Sequence, residues 1–144
     1  MDNRFQVYKQ NEVTTANRGK IVVMLFSGAI TFLNKAKLAM EKADYENKGK
    51  YIIKAMNIIE ELNISLDLEK GQEIAKNLKA IYLFLDRYLS QANIENNTDK
   101  IDRSIAIIDK LKTAFEEILK NPETFETPDF TPMEQAHMTI KRIV

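Results

Sequence analysis

The residues most able to do chemistry sit near the C-terminus, where Glu134 and His137 form a Glu-x-x-His spacing. On a helix that spacing puts a carboxylate and an imidazole on one face, as in the carboxylate-bridged di-metal sites of helical bundles. Those sites take the motif from two helices, and this chain has a single histidine. His137 therefore reads as a half-exposed packing residue, and no metal or cofactor is expected. Nucleophilic chemistry fares no better. There is no cysteine and no glycine-rich phosphate loop, and Gly19 and Gly28 stand alone inside a helical pattern. The carboxylates Glu60, Glu61, Glu116 and Glu117 flank apolar stripes and read as solvated edges. The sequence is not that of an enzyme.

Binding is the remaining class. Lys+Arg and Asp+Glu both number 21, whereas a phosphate backbone needs a surplus of cations, so nucleic acid is not the expected partner. The densest apolar run, Ile21 to Leu33, is interrupted by Ser27, Gly28 and Thr31. It is shorter than the ~18 residues of a membrane span, so no membrane insertion is expected. With no signal-peptide pattern in MDNRFQVYKQNEV and no cysteine, the expected location is cytoplasmic.

The elements that position any binding surface follow from apolar spacing. A first helix runs from a cap at Asn17 to about Lys42, with Ile21, Leu25, Gly28, Ala29, Phe32, Leu33, Ala36 and Met40 as its stripe. Met24, Met40 and Met56 read as core filler. A second helix starts near Asp44 and carries Ile52, Ala55, Ile59, Leu62 and Leu66. The stretch DLEKG, ending at Gly71, breaks the pattern. A third helix has Ile74, Leu78, Ile81, Tyr82, Leu85, Leu89 and Ala92, and a fourth follows a Thr98 cap with Ile101, Ile105, Ile108, Leu111, Phe115 and Ile118. It stops at Asn121-Pro122.

These patterns predict an all-α fold: an antiparallel up-down four-helix bundle over residues 17–120, preceded by an N-terminal arm, 1–16. Residues 121–144 are a proline-punctuated linker and a short amphipathic helix, which Thr131-Pro132-Met133-Glu134 opens as a capping box.

Two helices carry more apolar residues than one buried face requires. In KAMNIIEELNISLD, residues 54–67, Ile64 falls opposite the main stripe, and Ile53 joins it there. Ala80 and Phe84 lie at or beyond the edge of the third stripe. Such residues can line a groove for an amphipathic helix, or be covered by the arm or the C-terminal helix of the same chain.

Several blocks, in order, resemble the FliS family of flagellar secretion chaperones. Tyr8-Lys9-Gln10-Asn11 and Val13-Thr14-Thr15-Ala16 look like its opening segment. Met24 to Ile30 look like its first-helix signature, with Phe26-Ser27 where Tyr-Asp is usual. Lys54-Ala55, Ile58-Ile59, Glu61-Leu62 and Ser65-Leu66-Asp67 match the second helix; Gly71, Ile74-Ala75, Asn77-Leu78 and Tyr82 match the third. The tail is longer than the family's.

The resemblance implies a chaperone that holds the disordered C-terminal segment of flagellin, which wraps around it and becomes helical in pieces, so that polymerisation waits for export. It also implies a groove drawn from the second and third helices, occupied in part by the N-terminal segment in the free protein. Carried over, the partner-binding residues are Tyr8, Lys54, Ile58, Glu61, Leu62, Ser65, Asn77 and Ile81; periodicity adds Ile64 and Phe84. Flagellar export or regulatory proteins are further partners in this reading, and a homodimer built on the same exposed faces is its alternative.

Overall fold

The structure, a computed structural model, describes residues 14–121, with side-chain environments from Arg18 onward. Among them are four helices and no strand: α1 (Thr14–Glu41), α2 (Tyr45–Ile64), α3 (Leu68–Glu95) and α4 (Thr98–Lys120). Residues 14–16 of the expected arm are helical; the rest of the arm, with Tyr8, and the expected C-terminal helix, with Glu134 and His137, lie outside the described residues.

Short polar side chains start three of the helices. Asp44 accepts the Asn47 N–H at 3.3 Å, Asp67 that of Lys70 at 3.0 Å, and Asn97 that of Lys100 at 3.1 Å. Each satisfies a first-turn donor that the helix itself cannot. Asp44 is the cap its sequence position predicts. The cap of α4 is Asn97, not Thr98, which is already helical. Asn17 is likewise inside α1, which begins three residues earlier. The left-handed Asn96 (φ 51°, ψ 46°) ends α3, and an amide-bearing residue tolerates that conformation better than most.

The break expected at Gly71 occurs one residue later. Gln72 interrupts α3 at φ 49°, ψ −131°, a region open almost only to glycine. Gln72→Gly should therefore relieve strain and raise stability by about 1 kcal/mol, read as a higher urea midpoint at unchanged m-value.

The core takes Ile52, Ala55, Ile59 and Leu62 from α2, Leu78, Tyr82, Leu85, Leu89 and Ala92 from α3, and Ile101, Ile108 and Phe115 from α4. These follow the expected stripes. In α1 the buried apolar set is Val22, Phe26, Ala29, Leu33, Ala36 and Ala39; the expected Ala29, Leu33 and Ala36 are in it, whereas Val22 and Phe26 stand one residue on from the expected Ile21 and Leu25, and Phe32 is half-buried. The run from Ile21 to Leu33 is apolar on most of its circumference, and spacing alone does not choose a face there. Met24, expected in the core, is 69% exposed. By length and composition α1 could cross a membrane, yet Val22, Phe26, Ala29, Leu33 and Ala36 have no exposed surface.

The helices form a bundle in which α1 packs most extensively on α2 and next on α4, followed by α2 on α3 and α3 on α4. Phe32 stacks on Tyr51 at 6.3 Å between ring centroids, while a Cβ built on Gly28 would lie 3.3 Å from Ile58 Cδ1. Position thus advances along α1 as it retreats along α2. The same reversal links α1 and α4, through Phe26–Phe115 at 5.6 Å and the Lys37–Asp102 ion pair. At the α2–α3 seam, buried Lys48 donates from Nζ to the Asn93 carbonyl at 2.8 Å, tying the start of one helix to the end of the other. Burial lowers the pKa of this lysine.

Tyr82 is a different kind of buried polar residue. Its hydroxyl has no hydrogen-bond partner among the described residues, and burial pushes its pKa well above the usual 10.0. A raised folded-state pKa contributes stability that is intact below pH 10 and is lost as the pH rises past it, because only the unfolded chain then ionises. Tyr82→Phe should be neutral or stabilising by about 1 kcal/mol at neutral pH. It should also flatten the loss of stability above pH 10, measurable by urea titration on either side of that value.

Candidate binding surfaces

The residues that the sequence groups into one site divide between two edges of the bundle. On α2, Lys54 and Glu61 are exposed, and Ile58 and Ser65 are half-buried. Lys54 Nζ lies 5.4 Å from the Phe32 ring centroid and 6.0 Å from that of Tyr51, and Ile58 abuts Gly28. These contacts put the set on the edge of α2 that faces α1. Lys35 sits over the same two rings, at 5.8 and 5.7 Å. The result is a pair of stacked aromatic rings flanked by two cations, an arrangement that favours the rings' negative faces. Ser65 Oγ donates to the Glu61 carbonyl at 2.8 Å, closing the last turn of α2. Exposed Ile21 and Met24 lie on α1 two turns and one turn before Gly28; both were expected in the core.

On α3, Asn77 and Phe84 are exposed and Ile81 is half-buried. Phe84 stacks on Tyr88 with centroids 4.9 Å apart. The Tyr88 hydroxyl accepts a hydrogen bond from the Arg103 guanidinium of α4 at 3.4 Å, and Lys100 Nζ lies 5.5 Å from the Tyr88 ring. The set therefore marks the edge of α3 that faces α4. The Tyr88 hydroxyl beside it raises the Arg103 pKa, and Lys100 holds the Glu95 carboxyl below its usual range. Phe84, Arg87, Tyr88 and Gln91 line a shallow depression of about 180 Å³.

The expected single groove between α2 and α3 does not unite these residues. Apolar spacing gives a residue's angle from the core stripe, but not which neighbour stands on that side; the order of helices around the bundle decides that. Leu62 is corrected outright: it has no exposed surface and is a core residue. Ile64 and Ile53 are 74% and 52% exposed, so the second apolar side of α2 is uncovered by any described residue. Tyr88 and Arg103 were missed by the sequence reading, although Tyr88 lies one turn beyond Phe84. Among the described residues no cluster of His, Asp or Glu is placed to hold a metal ion.

The family model for the flagellar protein FliS matches residues 1–122. A flagellar secretion chaperone FliS of Bacillus subtilis is 33% identical over 121 residues, 84% of this chain and 90% of its own length. The Escherichia coli protein of that name is 34% identical over 124 residues, covering 85% and 91%. That of Vibrio cholerae is 37% identical over 122 residues, covering 82% and 90%. With the family model matching residues 1–122 and relatives 33–37% identical over most of their length, the chain belongs to the FliS family.

Proposed function

We propose that the chain is a cytoplasmic flagellar export chaperone that binds the disordered C-terminal segment of flagellin and keeps it from polymerising before export. The observation that carries this is the pair of apolar edges, Ile21, Met24 and Ile58 on one side and Ile81 and Phe84 on the other, both open to solvent. A rigid partner docks on one patch, whereas a disordered client can wrap the bundle and use both. Lys54, Glu61, Ser65 and Asn77 then offer polar groups that set the client's register, and Ile64 extends the apolar surface between the two edges. The architecture in this reading is an antiparallel up-down bundle from α1 to Lys120, with the N-terminal arm, including Tyr8, over part of the client surface. A linker and a short amphipathic helix, 121–144, complete it.

Calorimetric titration of the full chain with the C-terminal segment of its cognate flagellin tests the proposal. One-to-one saturation with a strongly negative heat-capacity change is expected, because coupled folding buries a large apolar area. Absence of binding in a folded sample would overturn it, and a concentration-dependent dimer by sedimentation would then make self-association the role of the exposed edges.

A further inference from the structure

The α3–α4 seam carries an apolar strip that is open along its outer side. Steps of three and four residues from the Tyr88–Arg103 contact lead along α3 through Phe84 and Ile81 to Ile74, and along α4 through Ile107 and Leu111 to Ile118. Phe84 is exposed and the other five are half-buried. Exposed Arg87, Arg103 and Lys110 border the strip toward its Phe84 end. The acids near it are Glu95, neutralised by Lys100 over the Tyr88 ring, Asp99, beside Arg103, Glu73, which pairs with Lys76, and Glu117 close to the end of α4. The strip thus leads back from the point where α4 stops at Lys120, toward a cationic end.

The sequence that follows α4 has the complementary chemistry. In PETFETPDF, residues 122–130, Glu123, Glu126 and Asp129 bring three negative charges, no residue is basic, and Phe125 and Phe130 are large and apolar. Pro122 and Pro128 disfavour continuation of the helix and bias the preceding residues toward extended backbone. Along α4, the distance from Ile118 to Arg103 is about 22 Å at helical rise. Nine extended residues reach about 30 Å, enough to turn and cover it. The match to the family model ends at residue 122, so residues 123–130 lie beyond it.

We propose that residues 122–130 lie as an extended strap along the α3–α4 strip. Phe125 and Phe130 rest on its apolar residues, and Glu126 and Asp129 face Lys110, Arg103 and Arg87. Resting on the chaperone reading, a flagellin segment that uses the Phe84 edge must first displace the strap.

The absence of cysteine makes Thr127→Cys a unique attachment point for a nitroxide on the full chain. Amide signals of Phe84, Ile107 and Arg103 should then broaden in the free protein, while those of Lys35 and Tyr51 stay sharp. The broadening should vanish in an Arg87→Glu, Arg103→Glu background that retains the wild-type helical circular dichroism. Broadening spread evenly, confined to the α1–α2 edge, or lost on dilution (a neighbouring copy as occupant) overturns the strap. This readout involves no flagellin, so its failure is separate from failure of the chaperone reading. Adding the flagellin segment should abolish the broadening; broadening that persists with the segment bound overturns the displacement.

Discussion

Phe26→Ala should remove about 3–5 kcal/mol of folding stability, the usual range for emptying a fully enclosed aromatic site. Phe26 has no exposed surface, and its ring meets Phe115 with centroids 5.6 Å apart. The loss therefore combines the transfer of a phenyl group with that of an aromatic pair across the α1–α4 seam. For a domain whose total stability is of order 5–15 kcal/mol, this is a large fraction. Urea denaturation followed by circular dichroism would show a much lower midpoint; a shift worth under about 1 kcal/mol would mean that the site collapses around the smaller side chain.

The second large effect is on binding. Phe84→Asp places a charge in the middle of the exposed α3–α4 edge, beside Tyr88. Phe84 is 42% exposed, so the bundle should keep its fold and most of its stability. Binding of the flagellin segment should weaken by at least about 30-fold, the effect of losing an aromatic anchor worth 2 kcal/mol or more. Calorimetry on the variant, with its thermal melt as a control, measures this directly. Unchanged affinity would remove the α3–α4 edge from the client surface and leave the α1–α2 edge, with Ile58 and Met24, to carry it.

Most of the architecture was legible from spacing because three of the helices are amphipathic with a narrow apolar stripe. Ile52, Ala55 and Ile59 could face only inward, and the same holds for Leu78, Leu85 and Leu89, whereas Leu62 lay on the core stripe and in the carried-over site alike. α1 was less legible: with apolar residues around most of its circumference, Phe26 and Leu25 were equally eligible for the core, and only its packing against α2 and α4 chose between them. The site was legible as residues but not as a place. Ile58 and Ile81 both looked like edge positions, yet one faces α1 and the other α4, a difference set by how the helices are ordered around the bundle. The strain at Gln72 left no trace in composition, since a Gly-Gln pair predicts that Gly71, not its neighbour, takes the unusual backbone.

Three of the four seams join helices that are neighbours in the chain, and the fourth, between α1 and α4, joins its two distant ends. Its contacts, Phe26 with Phe115 and Lys37 with Asp102, close loops of 89 and 65 residues by sequence position. Loop-closure entropy opposes that seam most, so it should be the last to form and the first to part. Substitutions there, Phe26→Ala among them, should act mainly on the unfolding rate and leave the refolding limb of the chevron nearly unmoved. The lifetime of the folded bundle is then set where its first and last helices meet.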